Sequence, residues 1–129
     1  FISIHGDPKE YFPFFSGYAH ETGAASGAGF TMNHPLPKGC DGQEYLRVLR
    51  THVIPALKAF DPALLILSAG FDTYLKDPIG AFTLTTEDFH VVGEMLAGLG
   101  YPTIILQEGG YCVEELGLNV VEFLRTFHS

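Results

Sequence analysis

Apolar residues along this chain fall into two kinds of segment, short continuous runs and longer stretches with helical spacing. The short runs are rich in β-branched and aromatic residues and end at turn residues, which predicts strands. The predicted strands cover residues 1–5, 30–33, 63–67 and 103–107. The longer stretches repeat apolar residues every three or four positions, which predicts helices. The predicted helices cover residues 41–60, 85–99 and 113–127.

Turn and capping residues indicate where these elements begin and end. Pro35, with the next proline two residues on, is expected to close the second strand. Asp41 followed by Glu44 predicts a capping box at the start of the first helix, and Pro55 predicts a kink within it. Thr85-Thr-Glu-Asp predicts a capped second helix. The expected buried stripes of the second and third helices are Phe89, Val92, Leu96 and Leu99, and Leu116, Val120, Leu124 and Phe127.

The order of these elements indicates the fold class. Strands that are apolar on both faces and alternate with helices are typical of a parallel sheet covered on both sides. The sequence therefore predicts an α/β fold, an open parallel sheet sandwiched by helices. The 129 residues, 47% of them hydrophobic, suffice for one core. An apolar strand that starts at Phe1 without a polar lead-in indicates an incomplete fragment, so we expect one domain or part of one.

A long loop separates the first two predicted strands and is interrupted by many glycines and prolines. Its aromatic residues are Tyr11, Phe12, Phe14, Phe15 and Tyr18. Long loops of this kind inside a compact domain are often functional. Rings that only plug the edge of the core would explain the pattern equally well, so both interpretations remain open.

Two loops that follow predicted strands carry the residues best suited to chemistry. Asp72 lies just beyond the third strand, and Glu108-Gly-Gly-Tyr111 leaves the fourth. Ligands of parallel α/β proteins bind beyond the carboxyl ends of the strands, so we expect Asp72 and Tyr111 to share one site. Each has an ordinary alternative, a turn aspartate and a surface tyrosine after a glycine turn. Asp77-Pro78 is interpreted as the turn that ends the first loop.

Composition and charge narrow the class of partners. A formal net charge of -8 argues against binding to a nucleic-acid backbone, which requires clustered Lys and Arg. Cys40 and Cys112 lack the spacing of a metal or redox motif, so we expect free thiols. The apolar stretches are far shorter than the ~20 residues of a membrane helix. The chain is therefore expected to be cytoplasmic, with neither nucleic acid nor membrane as a partner.

The candidate chemistry is hydrolysis by a metal-activated water, because a carboxylate and a tyrosine donor occur without an evident nucleophile. A catalytic zinc needs about three protein ligands. The six histidines form no i, i+2 or i, i+4 pair with each other. Either the site holds no metal or its other ligands lie outside this chain. The G-x-S-x-G motif of serine hydrolases and the glycine patterns of nucleotide sites are absent.

Eight short motifs extend over nearly the whole chain. They are Ser3-Ile-His-Gly-Asp-Pro8, Phe12-Pro13, Gly17-Tyr-Ala-His-Glu-Thr-Gly23, Gly70-Phe-Asp-Thr73, Asp77-Pro-Ile79, Leu84-Thr-Thr-Glu-Asp-Phe89, Glu108-Gly-Gly-Tyr111 and Glu115-Leu-Gly-Leu-Asn-Val120. In this order they resemble the histone deacetylase and acetylpolyamine amidohydrolase superfamily, most closely its bacterial acetylpolyamine amidohydrolase-like branch. The resemblance implies an arginase/deacetylase-like fold and assigns residues 1–129 to the C-terminal portion of a single catalytic domain.

The resemblance also implies roles for individual residues. Asp72 would be one ligand of a zinc ion. Tyr111 would polarise the acyl carbonyl of the substrate and stabilise the tetrahedral intermediate. The walls of the acyl tunnel would include Phe12, Ile79 and Gly109, and structural potassium sites would include Ser3, Ile4 and Phe30.

The resemblance further implies that part of the site is missing. The family's other zinc ligands, an Asp-x-His pair, and its His-His general base precede the first strand and are absent here. We therefore expect a full-length zinc-dependent amidohydrolase that acts on acetylpolyamines or acetyl-lysine, and an isolated chain that is inactive. The alternative is a non-catalytic α/β module of the same ancestry that binds a ligand or partner through the aromatic loop. A sheet edge exposed by truncation would also favour self-association into an oligomer.

Overall fold

In the computed structural model, which describes residues 1–127, parallel strands pair in two places. The chain divides into a first unit, Phe1–Cys40, and a second unit, Asp41–Ser129. The first unit contains the strands β1 (Ile2–Gly6) and β2 (Met32–Leu36). The second contains α1 (Gly42–Val48), α2 (Ile54–Phe60), β3 (Leu65–Ala69), α3 (Thr86–Ala97), β4 (Thr103–Gln107) and α4 (Val113–Leu124). Helices combined with parallel pairing confirm the predicted α/β class.

In the first unit, β1 and β2 pair in parallel from Ile2 opposite Met32 onwards. β2 starts later than predicted, beyond Phe30, and it runs through Pro35 instead of ending there. A proline is tolerated at this position because β2 is an edge strand, where one side of the backbone makes no ladder hydrogen bonds. The predicted long loop is confirmed, since residues 7–31 contain a single 3-10 turn, Ala25–Gly27, and no other helix or strand.

The first helical stretch of the second unit is interrupted as predicted. Residues 42–60 are helical throughout, but Leu49–Val53 form a π-helical turn directly before Pro55. Because proline has no N–H to donate to the preceding turn, the helix widens there instead of continuing as a regular α-helix. At the start of α1, the Asp41 carboxylate accepts the Glu44 N–H at 2.9 Å, which confirms the predicted N-cap, whereas the Glu44 carboxylate that would complete the capping box pairs with Arg47 at 2.7 Å.

α3 follows the sequence prediction closely. Thr85 caps it, and a reciprocal capping box with Asp88 is formed. Three of the four predicted stripe residues, Phe89, Val92 and Leu96, are buried, whereas Leu99 lies beyond the end of α3 and is only half-buried. This agreement arises because the capping signal and the apolar spacing are both local.

The most deeply buried side of α4 is displaced from the centre of the predicted stripe. Asn119 and Phe123 are buried, whereas the predicted Leu116 and Val120 are only half-buried. Gly93 of α3 explains the difference, since a Cβ there would lie 2.6 Å from the Phe123 carbonyl oxygen. The missing side chain lets α3 and α4 approach closely at that point.

The strands β3 and β4 keep one row of apolar side chains exposed among the described residues, with Ile66 61% and Leu106 48% exposed. Side chains on the faces of parallel sheets are usually covered. Neither Cys40 nor Cys112 belongs to a disulfide bond in the described part of the chain, in line with the expected thiols. Between residues 1 and 127, no helix is both long enough and apolar enough to cross a membrane.

Candidate active site

The strand that precedes Asp72 ends two residues later than predicted, at Ala69. Ser68 and Ala69 continue the parallel ladder opposite Leu106 and Gln107. The prediction stopped at the last large apolar residue, but ladder hydrogen bonds come from the backbone and small side chains permit them equally well.

Backbone hydrogen bonds join the loops that follow β3 and β4. The Glu108 N–H donates to the Ala69 carbonyl at 2.9 Å, and the Phe71 N–H donates to the Gly109 carbonyl at 2.8 Å. Phe71 directly precedes Asp72, and Gly109 lies two residues before Tyr111. The structure therefore brings the two candidate loops to the same edge of the paired strands.

Asp72 lies half-buried in a place shaped by glycines. A Cβ on Gly109 would overlap the Asp72 carboxylate, and one on Gly80 would overlap the Asp72 backbone carbonyl. Burial raises the pKa of Asp72, and the negative charge of Asp77 raises it further, while the Asp72 backbone amide partly offsets both. Because ionisation of the Asp72 carboxyl group is unfavourable in this place, a bound cation would stabilise its charged form.

Buried aromatic rings hold the Asp72 loop against the helices. Phe71 and Tyr74 are buried. The Phe71 ring lies 5.2 Å from the Phe89 ring and 5.8 Å from the Phe123 ring, and the Tyr74 ring lies 6.4 Å from that of Phe89. Asp72 therefore extends from a backbone that is anchored on both sides.

Asp77 forms the predicted turn and also binds the backbone of a second segment of the chain. Its Oδ1 accepts the N–H groups of Ile79 and Gly80, both at 3.0 Å, which is the expected turn. Its Oδ2 accepts the N–H groups of Tyr111 at 2.7 Å and of Cys112 at 3.2 Å. Sequence reasoning missed this second pair, because no local signal points to donors 34 and 35 residues away.

Tyr111 and Ile79, two of the predicted site residues, are 50% and 63% exposed. Tyr111 directly follows two glycines and lies two residues before α4. A phenol in that position is free to meet a ligand that approaches the edge of the strands.

A group of potential metal ligands was not predicted from the sequence. Among residues 1–127, Cys112, Glu114 and Glu115 form the one group of three ligand atoms within 4.8 Å of one another. The Cys112 thiol donates to Glu115 at 3.0 Å, and Lys76 pairs with Glu115 at 2.8 Å. The hydrogen bond to Glu115, followed by desolvation, raises the pKa of the Cys112 thiol. A protonated thiol beside a lysine is a poor metal ligand.

The remaining predicted residues belong to the first unit. Ser3 Oγ lies 2.8 Å from His5 Nδ1. Phe12 is mostly exposed and, with Ser3, lines an open cavity of about 500 Å³. Ile4 lies within β1, and the Phe30 carbonyl accepts a hydrogen bond from the N-terminal ammonium group of the chain at 2.8 Å.

Comparison with known proteins gives consistent matches. Residues 1–127 match the model of the histone deacetylase domain. The chain is 42% identical over 125 residues to the acetylpolyamine amidohydrolase of Mycoplana ramosa, covering 97% of this chain and 36% of that protein. It is also 42% identical over 129 residues to acetylpolyamine amidohydrolase 2 of Pseudomonas aeruginosa, covering 100% of this chain and 37% of that protein.

A solved structure agrees with these relatives. The crystal structure of acetylpolyamine aminohydrolase from Burkholderia pseudomallei matches with a TM-score of 0.94 and 37% sequence identity. The match covers 99% of this chain and 37% of that chain. The chain thus spans little more than a third of the length of the proteins it resembles.

Proposed function

From the finding that the chain belongs to the histone deacetylase domain family, we propose that the full-length protein is a zinc-dependent amidohydrolase. Its substrate would carry an acetyl group on a long aliphatic amine, either an acetylpolyamine or acetyl-lysine. The relatives at 42% identity are named acetylpolyamine amidohydrolases, which supports this class. The observation that carries the proposal is the hydrogen bond between Phe71 and Gly109, which joins the Asp72 loop to the Tyr111 loop.

We assign residues 1–129 to the C-terminal portion of one catalytic domain. The alignments cover 36% and 37% of the two relatives, which supports a portion of such a protein, and the C-terminal placement belongs to the proposal alone. A catalytic zinc needs about three protein ligands, and Asp72 belongs to no group of three ligating side chains among residues 1–127. The other ligands would come from an Asp-x-His pair, and the general base from a His-His pair, in the remainder of the domain.

The surroundings of Asp72 fit one ligand of zinc. Its carboxylate offers oxygen, which zinc accepts. Burial raises the pKa of this carboxyl group, so a cation would relieve an unfavourable charge. Zinc, when bound, supplies Lewis acidity and lowers the pKa of water to about 7. Gly109 would let the backbone pass close to the Asp72 carboxylate, because a side chain there would overlap it.

Tyr111 would act on the substrate. Its phenol would donate a hydrogen bond to the oxyanion that develops on the acyl oxygen, and such a donor typically contributes about 10²-fold to 10³-fold in rate. Ile79, Gly109 and Phe12 would line the acyl tunnel. Ser3, Ile4 and Phe30 would take part in structural potassium sites.

The test is to replace Tyr111 by Phe in the full-length protein and to measure turnover of an acetylpolyamine and an acetyl-lysine peptide. We expect kcat to fall by about 10²-fold to 10³-fold. The matched control is Tyr101→Phe, which removes the same hydroxyl from a residue two positions before β4, at the opposite end of that strand. The control should keep the wild-type rate.

The outcome of that experiment separates the two functions considered. An acetylpolyamine-binding module would show no turnover and would bind ligand equally well with Phe at position 111. If turnover is measurable and Tyr111→Phe leaves its rate unchanged, the role proposed for the phenol is also contradicted.

We also propose that the isolated chain is inactive, because a single carboxylate ligand does not hold zinc tightly and no general base accompanies it. The measurement is turnover of an acetylated amine by the 129-residue chain with added zinc. Robust turnover that a chelator abolishes would contradict this proposal.

A further inference from the structure

We propose that Asp77 is a positioning residue that sets the location of Tyr111 relative to Asp72. The inference rests on the proposed function, since it concerns how the phenol of that site is held. Asp77 belongs to the loop that carries Asp72, yet two of the four backbone N–H groups that its carboxylate accepts belong to the segment that carries Tyr111.

The Asp77 carboxylate accepts hydrogen bonds from two separate segments of the chain. Each oxygen accepts two backbone N–H groups, those of Ile79 and Gly80 on Oδ1 and those of Tyr111 and Cys112 on Oδ2. The bond to Tyr111, at 2.7 Å, is the shortest of the four. Hydrogen bonds to an ionised acceptor are roughly twice as strong as neutral ones. One charged group therefore ties two loop backbones together.

Without this carboxylate, the backbone at Tyr111 would have greater conformational freedom. Tyr111 follows Gly109 and Gly110, and Gly110 has a φ of 148°, a conformation that favours glycine. α4 begins with Cys112 as its N-cap, and the Cys112 side chain makes no capping hydrogen bond. The Asp77 carboxylate thus supplies an acceptor at a helix start whose N-cap side chain provides none.

Asp77 is also connected to Asp72, the other half of the site. Its Oδ1 bonds fold the chain back at Gly80, whose backbone passes so close to the Asp72 carbonyl that a Cβ would overlap it. The distance between the Asp72 and Tyr111 backbones is therefore set partly through Asp77. The neighbouring Lys76–Glu115 ion pair also joins the loop to α4, but it is exposed and such pairs contribute little.

The first variant is Asp77→Asn in the full-length protein. Asparagine keeps the shape, but its amide nitrogen is a donor, so two of the four N–H groups lose their acceptor. We expect kcat to fall by about 10-fold to 100-fold, because a shift of ~1 Å in a catalytic group can cost 10²-fold. KM should change by less than about threefold, since the residue positions the phenol and does not touch the substrate.

The decisive measurement is a double-mutant cycle with Tyr111→Phe. If Asp77 acts through the phenol, Asp77→Asn should lower kcat by less than about twofold once the hydroxyl is gone. An equal proportional loss with Tyr and with Phe at position 111 would overturn the inference. If Asp77→Asn leaves kcat unchanged in the protein that keeps Tyr111, the inference is overturned as well.

The matched control is Asp88→Asn, which also removes a carboxylate that accepts a backbone N–H. Asp88 Oδ2 accepts the Thr85 N–H at 2.7 Å at the start of α3. This variant should lower the unfolding midpoint and leave kcat unchanged. A loss of kcat equal to that of Asp77→Asn would show that loss of stability alone explains the effect.

A second variant allows the same test if Asp77→Asn does not fold. Asp77→Glu keeps both charged oxygens one methylene farther from the backbone, and we expect it to retain a higher kcat than the Asn variant. The same cycle with Tyr111→Phe then gives the test. If Tyr111→Phe alone leaves the rate intact, the proposed function fails, whereas an additive cycle overturns only the role of Asp77.

Discussion

The loops 7–31 and 70–85 are both rich in aromatic residues, yet they use them in opposite ways. In loop 7–31, Phe12 and Phe15 are 81% and 89% exposed. In loop 70–85, Phe71 and Tyr74 are 4% and 6% exposed. The aromatic content of a loop therefore does not tell whether its rings form the core or remain available to a ligand.

The difference follows from what each loop has to pack against. The rings of loop 70–85 lie against Phe89 of α3 and Phe123 of α4. The first unit contains no α-helix, and a 3-10 turn is its one helical element. Exposed rings in loop 7–31 leave both original interpretations open, since a ligand or another part of the protein would cover them equally well.

Each loop is nevertheless held by one carboxylate. Glu21 Oε2 accepts the N–H groups of Gly17 and Tyr18, both in its own loop. Asp77 accepts donors from its own loop and from the segment of Tyr111. The carboxylate in loop 7–31 orders one loop, whereas the one in loop 70–85 joins two.

The largest contrast should come from removing one ring in each loop. Phe71→Ala should lower the free energy of unfolding by about 3–5 kcal/mol, because it leaves a cavity among buried rings. Phe15→Ala is the matched control and should change it by less than about 0.5 kcal/mol. Urea unfolding of the chain measures both, and similar losses for the two variants would contradict the comparison.

A smaller effect should follow from removing the anchor of loop 7–31. Glu21→Ala should lower the free energy of unfolding by roughly 1.5–3 kcal/mol, the usual contribution of hydrogen bonds to a charged group. Glu10→Ala, an exposed glutamate of the same loop, is the control and should have little effect. A negligible loss for Glu21→Ala would mean that the hydrogen bonds of its carboxylate do not order this loop.

The smallest effect should be a pH-dependent gain from Asp72→Asn in the metal-free chain. Burial raises the pKa of Asp72 in the folded state, so as pH rises past the unfolded pKa the unfolded chain ionises first and stability falls until the folded pKa is passed. Asparagine removes this loss. The urea midpoint of the variant should exceed that of the wild type at pH 7, and the difference should shrink as pH falls below the unfolded pKa of aspartate, about 3.9.

The prediction for Asp72→Asn would be contradicted if the urea midpoint of the wild type at pH 7 equalled or exceeded that of the variant. It would also be contradicted by a difference that grows on acidification. Either result would mean that burial of the Asp72 carboxylate does not weaken the fold.

Much of the architecture was predictable because its signals are local. Strand-length apolar runs predicted β1, β3 and β4 to within two residues at each end. Thr85 and Asp88 predicted the start of α3, and Pro55 predicted the interruption of the first helical stretch. The resemblance of the motifs to the deacetylase superfamily is confirmed by the family match over residues 1–127.

The inward face of α4 was not predictable in the same way. Leu116, Val120 and Phe123 lie on one face of the helix, so helical spacing alone does not tell which of them packs most deeply. The close approach of α3 at Gly93 decides the choice, and that approach exists only after the helices have packed.

By itself, the sequence determined which segments form strands and helices, where the chain is capped, and that Asp72 and Tyr111 each follow a strand, because these features depend on neighbours within a few residues. Only the tertiary structure decided that Asp77 belongs to both loops, since its donors lie 34 and 35 residues away. A carboxylate has the same local sequence pattern whether it closes one turn or joins two loops. The folded backbone supplies the second pair of N–H groups and so distinguishes the two.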